Sequence, residues 1–81
     1  MKTIDAIRNI IADLLWVKPE EITQDQDLAK YPCCADELDI IDIVMAVERK
    51  FNIIIKDEDI DKLKTLDDFV KHVDKIMKEN H

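Results

Sequence analysis

Glycine and serine are both missing from this sequence. Without glycine, no phosphate-cradling glycine-rich loop can form. Without serine, the commonest hydroxyl nucleophile is absent, and no catalytic set can be assembled around one. Two cysteines, Cys33 and Cys34, are adjacent, so they make neither a disulfide framework nor a set of spaced zinc ligands; the histidines His72 and His81 lie far along the chain. Two reduced, structural thiols are the expected reading. No apolar run is long enough to span a membrane and no signal peptide opens the chain, so a cytoplasmic protein without membrane insertion is expected. Basic residues are outnumbered, 12 against 19 acids, for a net charge of −7. Nucleic acid would repel such a chain, whereas partners with Lys/Arg patches suit it.

What is present fits one small helical domain over residues 1–81. Ile4, Ile7, Ile10, Ile11, Leu14 and Leu15 recur at helical spacing after Thr3, a candidate cap, and this helix is expected to stop before Pro19. Pro19-Glu20-Glu21-Ile22 has the makings of a single helical turn. A long loop follows, expected to be pinned to the core by Leu28 and Tyr31.

Asp36 is an N-cap candidate for a second helix running to about Lys50, with Leu38, Ile41, Val44, Met45 and Phe51 expected to face inward. Residues 53–55 are three isoleucines, β-prone by type, but no second strand exists to pair with them. Asp57–Leu63 reads as a short acidic helix or turn. Thr65 and Asp68 resemble a capping box ahead of a last helix with Leu66, Phe69, Val70, Val73, Ile76 and Met77 on one stripe. The expected fold is an all-α bundle of three long helices and one short one.

The stretch Cys33-Cys34-Ala35-Asp36-Glu37-Leu38-Asp39, followed by the long apolar helix, resembles the acyl carrier protein family. In that family the second helix opens Asp-Ser-Leu-Asp and runs to Glu-x-x-Phe. A loop with Ile and Asp-Glu-Asp comes next, and then Leu-x-Thr before the last helix. Matching positions are Asp36, Leu38, Asp39, Val44, Met45, Glu48, Phe51, Ile55, Asp57, Glu58, Leu63 and Thr65. The resemblance implies the family's four-helix bundle, and it implies docking of an acidic second helix on basic patches of enzymes of fatty acid, lipid or polyketide-type metabolism.

The departures bear on chemistry. The family serine carries a 4′-phosphopantetheine arm, and Glu37 stands at that position; Cys34 and Lys56 also depart from the pattern, and Arg49 and Lys50 dilute the acidic end of the helix. No arm is expected at Glu37, because a carboxylate attacking the phosphate of coenzyme A would give a readily hydrolysed acyl phosphate. Glu37 either serves the helix dipole alone or imitates the phosphate of a loaded carrier, with about half the charge of a phosphate monoester. The chain is then a paralogue without the arm, or a working carrier whose serine was changed to glutamate.

Candidate partner-binding residues are Asp36, Leu38, Asp39, Asp42, Val44, Met45 and Glu48. At Leu38, Val44 and Met45 the core and docking readings compete. The chain is expected to be a monomer and a non-enzyme. The alternative outside acyl transfer is an acidic scaffolding or weak calcium-binding bundle. Asp57, Asp59, Asp61 and Asp68 fall at calcium-loop spacings, but Lys62 occupies the place that needs glycine, so no dedicated metal site is expected.

Overall fold

The structure, a computed structural model, describes residues 2–79, so His81 and the ends of the 1–81 domain lie outside the described residues. Its elements are α1 (Thr3–Leu15), a single 3-10 turn (Pro19–Glu21), α2 (Glu37–Phe51), α3 (Asp57–Ile60) and α4 (Leu66–Glu79). This is the expected all-α bundle of three long helices and a short one, and α1 packs against both α2 and α4. One core joins Ile7 and Ile11 of α1, Ile43 and Val47 of α2, and Leu66, Phe69 and Val73 of α4.

Helix ends show how local chemistry sets the boundaries. Asp36 Oδ1 accepts from the Asp39 N–H (2.8 Å) and Asp39 Oδ2 accepts from the Asp36 N–H (3.0 Å), a reciprocal capping box. At α4, Thr65 Oγ1 accepts from the Asp68 N–H, while Asp68 Oδ2 accepts from the N–H groups of Lys64 and Thr65. Thr3 does not cap α1: the N-cap is Lys2, whose side chain has no acceptor, and Thr3 is already helical.

With no glycine to use, the chain places Trp16, Cys34 and Asn52 in left-handed backbone conformations, with φ of 59°, 50° and 55°. Trp16 and Asn52 terminate α1 and α2 there, their N–H groups donating to Ala12 O and Glu48 O. Asn tolerates this region, whereas Trp and Cys take it at a cost of about 1–2 kcal/mol each.

The connection from residue 22 to 36 is a long loop stitched down by backbone hydrogen bonds. Leu28 N–H donates to Lys64 O, Ala35 N–H to Leu28 O, and Asp67 N–H to Gln24 O. Leu28 is fully buried as expected, but its companions in the core are Cys33 and Ala35, while Tyr31 is 86% exposed. The three isoleucines form no strand: Ile53 and Ile55 point into the core and Ile54 outward along an extended segment.

The largest correction concerns the inward face of α2. The buried stripe is Ile43, Val44 and Val47, with Ile40 and Phe51 packed at its edges. Leu38, Ile41 and Met45, expected inside, form a second stripe at i, i+3, i+7 that faces solvent.

Candidate functional site

The α2 N-terminus converts a loop into a helix within one residue, because the Asp36–Asp39 box satisfies two backbone N–H groups that the helix cannot. Glu37 is therefore the first helical residue, exposed, with its carboxylate beside the positive end of the helix dipole. Among the described residues no hydrogen bond or ion pair engages the side chain of Glu37 or that of Asp42. The arrangement offers a displayed, uncommitted carboxylate at a fixed point of the fold.

Several sequence candidates prove to have structural work. Asp36 and Asp39 are committed to each other's backbone. Glu48 is half-buried, and its Oε2 accepts from the Ile55 N–H at 2.8 Å, strapping the 53–56 segment to α2. Val44 is 3% exposed and sits in the core, so it offers no side chain to a partner. What remains on the surface is Glu37, Leu38, Asp42 and Met45, joined by Ile41, whose spacing predicts an inward position. Leu38 is 71% and Met45 46% exposed. The signal for Ile41 was present but ambiguous: α2 carries more apolar residues than one buried stripe can use.

An open groove of about 560 Å³ lies between α2, α3 and the long loop. Ile40, Ile41, Ile60 and Leu63 supply apolar lining, while Asp27, Glu37, Asp57 and Asp61 surround it with carboxylates against the single base Lys64. Such a groove accepts an apolar group and disfavours an anionic one at its rim.

The residues around this point do not fit attachment of a phosphopantetheine arm. Glu37 is a carboxylate, and the hydroxyls of Thr65 and Thr23 are engaged elsewhere. Thr65 Oγ1 caps α4, and Thr23 Oγ1 lies against the side chains of Asp25 and Gln26.

Two cysteines precede the site in different environments. Cys34 is exposed and Cys33 is buried, with Gln26 Nε2 donating to Cys33 Sγ at 3.8 Å. Burial, reinforced by Cys34 and Glu21 nearby, pushes the Cys33 thiol above its ordinary value of 9.0. Cys33 is therefore a protonated, unreactive thiol at neutral pH. Iodoacetamide at pH 7.5 should label one thiol quickly in the native protein and the second only after unfolding; mass spectrometry of the labelled protein reads both.

A thiol whose folded value is raised contributes stability that is complete below the unfolded value and is lost as pH rises through the folded one. Between pH 8 and 10 the wild type should therefore lose denaturant resistance faster than Cys33→Val. Equal losses would mean that Cys33 ionises as freely in the fold as in the open chain.

His72 lies on α4 with Nε2 3.8 Å from Asp59 Oδ2. Asp59 also faces Lys62 at 3.5 Å, and Asp68 is taken up by backbone N–H groups, so the acids at calcium-loop spacing do not converge. Among the described residues no group of three or more His, Cys, Asp or Glu is placed to hold a metal, and no helix is long and apolar enough to cross a membrane.

The profile of the family described as "Phosphopantetheine attachment site" matches residues 5–73. The acyl carrier protein of Wolinella succinogenes is 36% identical over 74 residues, covering 91% of this chain and 96% of that relative. A solved acyl carrier protein from Enterococcus faecalis superposes with a TM-score of 0.76 at 20% identity, covering 94% of this chain and 99% of that one. Members of this family are carriers and not catalysts. The solved structure shares the fold described above, and the profile and the relative show the family: the chain belongs to the acyl carrier protein family.

Proposed function

We propose that this chain is one carrier-type domain over residues 1–81 that acts by docking on enzymes of fatty acid, lipid or polyketide-type metabolism, with no arm attached at Glu37. The observation that carries the reading is the second stripe of α2. Leu38, Ile41 and Met45 stand exposed and unpacked beside Asp42 and Glu37, next to the position where the family resemblance places its modified residue. Exposed apolar side chains rimmed by charge are the composition of a docking face, and the acids select a partner with a basic patch. Acting on such partners, the protein would be a cytoplasmic monomer and not an enzyme. Glu37 adds a single negative charge at the start of that face, whether it only favours the helix dipole or also stands in for the phosphate of a loaded carrier.

Charges on a solvated rim act mainly on association and its salt dependence. Asp42→Lys should therefore slow association with a carrier-dependent enzyme that has a basic docking patch, by about three- to tenfold at low salt. The loss should shrink at 0.5 M NaCl as screening removes the steering field. Surface plasmon resonance at two salt concentrations checks this, and an association rate unchanged at low salt would remove α2 from the interface.

A further inference from the structure

A second groove, of about 570 Å³, opens between the C-terminal end of α1 and the loop at Tyr31 and Pro32. It shares no lining residue with the groove beside α2. Its two aromatic residues are the most exposed large apolar side chains in the described structure, Trp16 at 94% and Tyr31 at 86%. Aromatic rings of this size usually bury most of their area, and Trp and Tyr so displayed on a shared groove are the residue types that anchor interfaces. Trp16 also sits at a left-handed C-cap, φ 59°, where its side chain brings steric cost and no packing in return. An ill-suited residue, fully displayed, marks a position whose use lies outside the fold.

The chemistry of the occupant follows from the rest of the groove. Asp13 and Glu21 line it against the single base Lys18, and the whole chain carries a net charge of −7. Those charges oppose a second copy of this chain and an anionic lipid surface alike. They favour a cation that can also stack. A guanidinium does both, lying flat on aromatic faces and pairing with carboxylates in a fork.

We propose that this groove docks a basic segment of a partner protein, with an arginine of that segment laid over Trp16 and Tyr31 and its charge held by Asp13 and Glu21. The site goes beyond the α2 face, since it is built from α1 and the loop.

Trp16 is the only tryptophan in the chain, so all indole emission reports from this groove. The probe is a capped pentapeptide of alternating arginine and alanine, titrated while tryptophan emission is followed. A saturable change is expected. It should be weaker with the lysine version of the peptide and absent with the glutamate version. Tyr31→Ala and Glu21→Gln should each weaken binding about five- to tenfold, while Met45→Ala on the α2 face should leave it unchanged.

By calorimetry, Trp16→Gly should bind no peptide and yet melt no lower than the wild type, because glycine takes the left-handed cap without strain. The proposal is overturned by the absence of saturable change up to millimolar peptide, by equal binding in Tyr31→Ala, or by full binding in Trp16→Gly. It is also overturned if emission depends on protein concentration without peptide, which assigns the groove to a second copy. A blue shift on phosphatidylcholine vesicles with no response to the arginine peptide would assign it to lipid.

Discussion

Incubated with coenzyme A and a broad-specificity phosphopantetheinyl transferase, the wild-type protein is expected to keep its mass. Arm attachment needs a hydroxyl that attacks the phosphate and leaves a stable phosphodiester. The sequence offers no serine, and Glu37 presents a carboxylate at the first turn of α2. A carboxylate in that role would form an acyl phosphate, a type of bond that enzymes use as a transient intermediate and not as an anchor. Thr65 is held as a helix cap and Thr23 lies in the loop against Asp25 and Gln26.

The decisive companion is Glu37→Ser. The capping box that starts α2 is made by Asp36 and Asp39, so it survives this change. The exposed stripe of Leu38, Ile41 and Met45 survives as well. Intact mass spectrometry should therefore show Glu37→Ser gaining one phosphopantetheine while the wild type gains none. A wild-type gain would sink the reading of Glu37. A Glu37→Ser protein that folds but is never modified would show that the surface recognised by the transferase has diverged as well.

Capping of α2 and α4 was legible in the sequence, because a cap is decided within four residues; at α1 it was not, since Thr3 is already helical and Lys2 is the N-cap. Asp36 with Asp39 and Thr65 with Asp68 fix their helix starts through side chains that reach only their own backbone. The orientation of α2 was not legible in the same way. Its apolar residues make two stripes, Ile40-Ile43-Val44-Val47 and Leu38-Ile41-Met45, about 140° apart around the helix. Periodicity accepts either, and only the contacts with α1 and the rest of the core decide between them.

The acids misled for a related reason. Read from sequence, Asp39 and Glu48 are surface charges. In the fold their oxygens satisfy backbone N–H groups, and that of Ile55 comes from seven residues beyond Glu48. Tyr31 was expected to pin the loop because a tyrosine is often at least half-buried. The small residues Cys33 and Ala35 are buried with Leu28 and hold that loop instead, Ala35 through its N–H bond to Leu28 O.

Two substitutions two residues apart on α2 separate the roles of its faces. Ile43 is fully buried in the central cluster, and Met45 is 46% exposed. Replacing a buried isoleucine by alanine costs about 2–5 kcal/mol, the sum of lost transfer energy and the cavity left behind. A chain of this length has on the order of 4–12 kcal/mol in total. Ile43→Ala should therefore lower the melting temperature by roughly 10–30 °C and leave binding by the folded fraction unaltered.

Met45→Ala removes a side chain that is not part of the core cluster, and its melting temperature should stay within about 3 °C of wild type. If Met45 anchors a partner, the same variant should dissociate from a carrier-dependent enzyme several-fold faster at every salt concentration, since a desolvated anchor acts on the off-rate. Circular dichroism melts and dissociation rates measured on both proteins give the answer. A large melting loss in Met45→Ala would place that side chain in the core. An unchanged off-rate with an unchanged melt would leave the exposed stripe of α2 without Met45 as its anchor, and the docking face would then have to rest on Leu38 and Ile41.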